Sequence, residues 1–260
     1  MAIGENGRVG RILISNDDGI DAMGIEVLEA IAREIADEVW VVAPEGNCSG
    51  FGRSITLKRE IRATRVGDNR YTCDGTPTDC VIYAVNHLMA ETPPDLVLSG
   101  INLGMNISDD ITCSGTIGAA WEAAVYRIPA IALSQKYDAT KPMGTPEVFD
   151  ASRQHGVSII QSLMQRGWPD HVIMNVNFPS LPADGISGIK VVSVGSHKVS
   201  DEIIMGSGEN TYRIGKQRQK SKLDPDSDIG ALFDGYITVT PLSIDMTDYH
   251  LLRDLGGMNT

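Results

Sequence analysis

Short apolar runs of strand length alternate with helical patterns through the first half of the chain, and this alternation limits the fold more than any other feature. RILIS (11–15) is a β-branched run, and GIEVLEAIAREIA (24–36) carries apolar residues at helical spacing. EVWVVAP (38–44) is a second buried strand, stopped at Pro44 and followed by the Gly-rich loop EGNCSGFG. Strand, helix, strand in this order is the βαβ arrangement of a parallel sheet. The pattern continues through a β-like stretch (SITLKREIRATRV, then RYTC) to a helix over 76–90, opened by Thr76 with Pro77 at its first position. PDLVLSGIN then reads as a strand, SGTIGAAWEAAVYR as a helix and IPAIALS (128–134) as a strand. Farther on come a helix at about 146–166, a strand at HVIMNVNFP, then IKVVSV, a polar run and GYITVTPL.

At 260 residues the chain has room for one large α/β domain or two small ones. Its formal charge of −12 excludes a general nucleic-acid-coating surface. An anionic substrate must therefore be met locally, by a bound cation or by a helix N-terminus. Cys48, Cys73, Cys80 and Cys113 lack C-x-x-C spacing and a nearby His pair, which reads as reduced thiols. With no signal-peptide pattern and no apolar run of about 18 residues, the expected location is cytoplasmic, away from membranes. Between 211 and 222, TYRIGKQRQKSK carries five basic residues and no acid, directly before DPDSD. It reads as a solvated loop or hairpin, or as an arm meeting a phosphorylated substrate or a partner subunit.

In an open α/β sheet, ligands bind beyond the carboxyl ends of the strands. The first strand ends in NDDGI, which places Asp17 and Asp18 at its tip. Two adjacent carboxylates repel, so keeping both ionised calls for a cation or strong donors; the alternative is that one caps the next helix while the other faces water. A dinucleotide-binding fold would carry G-x-G-x-x-G here, and two acids would instead repel a pyrophosphate. The loop after the second strand offers Asn47, Ser49 and Arg53, and the loop after PDLVLSG offers Asn102, Asn106, Asp109 and Asp110. Asp17, Asp18, Ser49 and Asn102 make an all-oxygen set with two formal charges, suited to magnesium or manganese. Ser114, Gly115 and Thr116 open a helix whose free amides favour a phosphate, plain N-capping by Ser114 being the alternative. No G-x-S-x-G is present, and the five histidines are scattered without triad context.

These segments together resemble the SurE family (survival protein E) of metal-dependent 5′/3′-nucleotidases. The resemblance is carried by ILISNDDGI (12–20), VVAPEGNCSGFGRSIT (41–56), DGTPTDCV (74–81), DLVLSGINLGMNISDDITCSGTIGAAWE (95–122), NVNFP and DGYITVTPL. It implies one Rossmann-like α/β domain over 1–260, with a mainly parallel sheet and helices on both faces. Its core would run from about 8 to 185; an extended hairpin and a C-terminal oligomerisation segment would occupy about 186–260, building a homodimer or homotetramer. The basic run at 211–222 falls roughly where that extended arm is expected. The resemblance also implies one divalent cation (Mg²⁺ or Mn²⁺) on Asp17, Asp18, Ser49 and Asn102, and phosphate binding at Ser114, Gly115 and Thr116. Asn106 would be a polar site residue, and Asp17 and Asp18 would carry the chemistry. The implied substrate is a nucleoside 5′-monophosphate, with 3′-monophosphates also open, and no stable nucleic-acid complex.

The chain departs from the family pattern at Arg53, Ser108, Cys113 and Ala123, none of them a proposed metal ligand, and these positions bear on substrate preference. Two other readings share part of the pattern. A haloacid-dehalogenase-like phosphotransfer enzyme expects D-x-D, where this chain has adjacent acids. A receiver-like magnesium-binding regulatory domain needs about 120 residues and an Asp after its third strand, where this chain offers Asn102.

Overall fold

The computed structural model describes residues 8–137 and 145–256. Among the described residues nine strands form one sheet in the order β3-β4-β2-β1-β5-β6-β7-β11-β8. Its centre is parallel: β1 (Val9–Ser15) pairs with β2 (Ala36–Pro44) and β5 (Leu96–Leu103), and β6 (Ala130–Gln135) joins β5 to β7 (Val172–Phe178). β4 (Arg70–Cys73) lies parallel to β2, with β3 (Ala63–Gly67) antiparallel at that edge. At the other edge β11 (Tyr236–Ser243) runs antiparallel to β7, with β8 (Gly188–Val191) parallel to it.

Alternate residues of each central strand enter opposite cores, as the strand period of two requires. Ile12, Ile14, Leu96, Leu98, Leu133 and Val176 pack with helices α1 (Met23–Ile35) and α4 (Asp150–Arg166) on one face. Leu13, Val97, Ala130, Ala132 and Ile173 pack with α2 (Pro77–Tyr83) and α3 (Gly115–Val125) on the other. The α/β class with helices on both faces is therefore the observed one.

Several element boundaries differ from the sequence reading for local reasons. α1 passes directly into β2 at Ala36, because the extended backbone of that residue already belongs to the strand. The helix expected over 76–90 has a capping box between Thr76 and Asp79 but continues beyond Tyr83 as a π-helical segment, Ala84–Leu88. Of SITLKREIRATRV, only Ala63–Gly67 forms a strand. Arg59 and Arg62 instead bind Asp74 across the loop.

The basic run lies on β10 (Tyr212–Gln219), which pairs antiparallel with β9 (Lys198–Met205) in a separate two-stranded hairpin, the arm. The division expected near residue 185 does not fall at an edge of the sheet. β8 and β11 lie beyond it in sequence, yet β11 is hydrogen-bonded to β7 and carries buried Ile237 and Val239 into the core. The chain closes with α5 (Asp228–Phe233) before β11 and α6 (Tyr249–Leu255) after it. No helix among the described residues is long and apolar enough to cross a membrane.

Candidate active site

The carboxyl ends of β1, β2 and β5 meet the start of α3, and short contacts tie the four segments together. At the tip of β1, the Asp17 carbonyl accepts from the Cys48 amide at 2.7 Å, which brings the loop carrying Ser49 to the carboxylates. Asp18 Oδ2 accepts from the Leu103 amide at 3.0 Å, drawing in the end of β5 next to Asn102. From the first turn of α3, Thr116 Oγ1 donates to Asp17 Oδ1 at 2.6 Å. The sequence-predicted residues Asp17, Asp18, Ser49, Asn102, Gly115 and Thr116 thus come from segments that touch one another.

Small residues make this convergence possible. A Cβ on Gly115 would lie 2.7 Å from the Asp17 Cβ, so any larger residue would push the helix start off the carboxylate. At Gly100 in β5, φ is +131° and a Cβ would lie 2.2 Å from the Leu133 carbonyl oxygen. The β5–β6 register shifts between Ser99 and Asn102, the kind of local irregularity that re-aims a strand tip.

Burial raises the Asp17 carboxyl to a pKa of about 6, and the charge of neighbouring Asp18 pushes the same way, against the Thr116 hydrogen bond. Burial also raises Asp18, opposed by the Leu103 amide. Among the described residues no salt bridge reaches either acid. Two adjacent carboxylates left without a basic partner suit a cation. No three His, Cys, Asp or Glu side chains among the described residues cluster as a metal-binding set. A cation here would rest on two carboxylates and neutral oxygens, the donor chemistry of magnesium and manganese. Asn102 engages its nitrogen with the Gly104 carbonyl at 3.1 Å, so its oxygen is what it can offer. Asn47 accepts from the Ser49 amide at 2.9 Å, fixing the backbone that presents Ser49.

At the start of α3, Ser114 caps the helix by accepting from the Ile117 amide at 3.1 Å. Helix geometry leaves the amides of Gly115 and Thr116 without intrahelical partners, at the positive end of the dipole. The Thr116 hydroxyl is already engaged with Asp17, so only its amide remains for an anion. Asn106 is buried, and its two amide hydrogens go to Thr116 Oγ1 (3.1 Å) and Ser134 Oγ (2.9 Å). It therefore braces Thr116.

Two residues given no site role from the sequence complete this brace. Asn177 Oδ1 accepts from the Asn106 amide at 2.9 Å, and Asn175 Nδ2 donates to the Asn106 carbonyl at 2.8 Å. Their signal lies in HVIMNVNFP, where two asparagines stand two apart in an otherwise apolar strand and so face the same side. Asp109 and Asp110 lie close in sequence to Asn106 but bind the base of the arm instead.

Comparison with known proteins gives the family. The family described as Survival protein SurE matches residues 12–201. The chain belongs to the SurE family. It is 47% identical over 242 residues to a "5′-nucleotidase SurE" of Paramagnetospirillum magneticum, covering 91% of each chain. It is 44% identical over 250 residues to one of Erythrobacter litoralis, covering 95% of this chain and 98% of that protein. The crystal structure of the SurE protein from Aquifex aeolicus superposes with a TM-score of 0.84 at 33% identity, covering 96% of this chain and all of that one.

Proposed function

We propose that this SurE-family chain is a phosphatase that hydrolyses nucleoside 5′-monophosphates to nucleoside and phosphate, with 3′-monophosphates as a second substrate class. The observation that carries the mechanism is the contact of buried Asp17, through Thr116, with the N-terminus of α3. A divalent cation, Mg²⁺ or Mn²⁺, would be held by Asp17, Asp18, Ser49 and Asn102; when bound it supplies polarisation of a phosphoryl oxygen. The amides of Gly115 and Thr116 hold phosphoryl oxygens and meet the negative charge that grows on them in the transition state. Ser114 keeps that helix start in register, and Asn106 holds the Thr116 hydroxyl against Asp17. Asp17 acts on the attacking side, either accepting the proton of the water that attacks phosphorus or attacking phosphorus itself; Asp18 keeps the loop end of β5 in place. In the net reaction the P–O bond to the ribose breaks, water oxygen joins phosphorus, and the leaving oxygen takes a proton.

The acidic chain, with amides as its local anion site, favours small phosphorylated substrates in the cytoplasm over long nucleic acids. The exposed apolar residues of the arm and of α6, including Ile214, Met205 and Leu252, support assembly as a homodimer or homotetramer. The test is phosphate release from a panel of nucleoside monophosphates with EDTA, Mg²⁺ or Mn²⁺, beside Asp18→Asn. Metal-dependent turnover that disappears in the variant is the expected result. A folded protein with no turnover on any monophosphate would overturn the reading.

A further inference from the structure

The segment from Ser108 to Cys113 forms a 3₁₀ turn that runs directly into the capping Ser114 of α3. Both ends of its first half are gripped by residues from the last third of the chain. Ser108 sits at φ +51°, where a non-glycine residue needs outside support. Fully buried Asp228, at the start of α5, supplies it by accepting from the Ser108 amide and hydroxyl, each at 2.7 Å. Asp228 also accepts from the Gly195 amide at 2.9 Å, which links Ser108 to the segment entering the arm.

The next two residues hold the arm itself. Asp109 Oδ2 accepts from the backbone amides of His197 (2.7 Å) and Lys198 (2.8 Å), and these two donors keep its carboxyl below the usual range. Asp110 Oδ1 accepts from Gln217 Nε2 at 2.8 Å. Between the two carboxylates lies the imidazole of His197, 2% exposed. Its Nε2 is 3.2 Å from Gln217 Oε1 and 3.4 Å from Asp110 Oδ2. Because Gln217 gives its nitrogen to a carboxylate, its oxygen faces His197, which assigns the imidazole proton to Nε2. Nδ1 lies 3.5 Å from Asp109 Oδ2, outside hydrogen-bond geometry.

We propose that this clamp positions the phosphate-binding turn: the base of the arm, through His197 and Gln217 on Asp109 and Asp110, sets where Ser114, Gly115 and Thr116 lie. His197 is a positioning residue, four positions of turn away from the anion site and in contact with none of its atoms. The inference rests on the proposed phosphatase site for its effect on substrate, and on the contacts above for the coupling. Loss of the clamp loosens substrate binding, while the backbone of the Asp17 loop, held by the Cys48 amide, keeps its own contacts.

The test uses the full chain and two variants, His197→Gln and the milder Gln217→Ala, which removes a partly exposed residue and keeps the protein folded should the buried change fail. Hydrogen exchange followed by mass spectrometry reads the coupling without substrate. Peptides covering 108–117 should exchange on the order of fivefold faster in the variants, with those covering 12–20 unchanged. With adenosine 5′-monophosphate and Mg²⁺ or Mn²⁺, KM should rise on the order of fivefold, and kcat should fall with it because the amides of Gly115 and Thr116 also meet the transition-state charge. A merely structural role would lower kcat by reducing the folded fraction and leave KM alone. Faster exchange confined to the arm, or a rise in exchange at 108–117 with KM unchanged, would overturn the proposal. Wild-type protein that releases no phosphate would sink the phosphatase reading instead, and the exchange data would still decide the coupling.

Discussion

The strand-tip site and the arm are both rich in polar residues, yet they use them in opposite ways. At the tips of β1, β5, β6 and β7 the polar groups are buried and bonded to one another: Asp17 to Thr116, Thr116 to Asn106, Asn106 to Ser134 and Asn177. On the arm the charges face water and so do the apolar side chains, with Ile214 69% and Met205 70% exposed. A buried polar group left unpaired costs about 1–3 kcal/mol, so the buried network fixes the strand-tip geometry; the exposed outer part of the arm specifies little beyond its register, and only its base bears on the site. The strand-tip groups satisfy one another, and the outer part of the arm leaves its side chains to solvent.

The largest effects should follow from the acids. Asp17→Asn or Asp18→Asn removes half the formal charge available to a cation, and kcat should fall on the order of 10³-fold, with the far-ultraviolet circular dichroism unchanged. Turnover within tenfold of wild type would mean that these carboxylates serve the fold alone. Next comes a pair of glycines. Gly115→Ala forces a Cβ to within 2.7 Å of Asp17, whereas Gly46→Ala meets nothing within 4 Å. The first should cost activity on the order of 10²-fold by displacing the helix start, and the second should be close to silent. Equal activity in the two variants, measured by phosphate release, would dissolve the distinction between the packed helix start and the open loop.

Burial explains which parts of this were legible beforehand. The β1 run, the α1 stripe and the acids at Asp17 and Asp18 could be read because apolar period and strand-end position are local signals. Asn175 and Asn177 were present in the sequence as two polar residues in a buried strand, but their partner Asn106 lies about 70 positions away and only the fold joins them. Asp109 and Asp110 show the limit from the other side. Nothing local separates them from Asp17 and Asp18, and their assignment to the arm depends on His197 and Gln217, far along the chain. Nothing local near residue 185 announces that β11 returns from beyond the arm to pair with β7.

Asn177→Ala should sharpen the comparison at intermediate size. It leaves the Asn106 amide without its acceptor in a buried place, a loss of about 1–3 kcal/mol in denaturant unfolding, and it should raise KM through Thr116 as well. A stability loss with unchanged kinetics would mean that the asparagine brace serves only the sheet.

The pH response of the metal-free protein separates the regions further. Asp17 stands at about 6 in the folded state against an ordinary 3.8, so the folded protein binds the proton more tightly. For a raised carboxyl the added stability is full below about pH 4 and is lost as pH rises to about 6. At roughly 1.4 kcal/mol per unit this amounts to about 3 kcal/mol, beyond which the contribution is flat. In EDTA, urea unfolding of Asp17→Asn should show a smaller fall than the wild type, since only the raised Asp18 remains to contribute. Parallel curves for the two proteins would place the titration elsewhere.

The smallest effect is expected on the arm, and it is the one most able to upset the contrast. Met205 pairs with Tyr212 near the far end of the hairpin, and both are more than half exposed. Replacing a surface side chain that packs on nothing changes stability by about 0.5 kcal/mol or less, so Met205→Ser should unfold with the wild type at dilutions where sedimentation shows one copy. Its KM should also match, because the contacts to Asp109 and Asp110 come from His197, Lys198 and Gln217 at the other end of the hairpin. At higher concentration the same variant should sediment as smaller species, since removing an exposed apolar side chain weakens association and little else. A change in KM at the dilute end would show that the far end of the arm acts on the site within a single chain. The division between a self-specifying site and an outward-facing arm would then have to be redrawn, with the whole hairpin counted as part of the site.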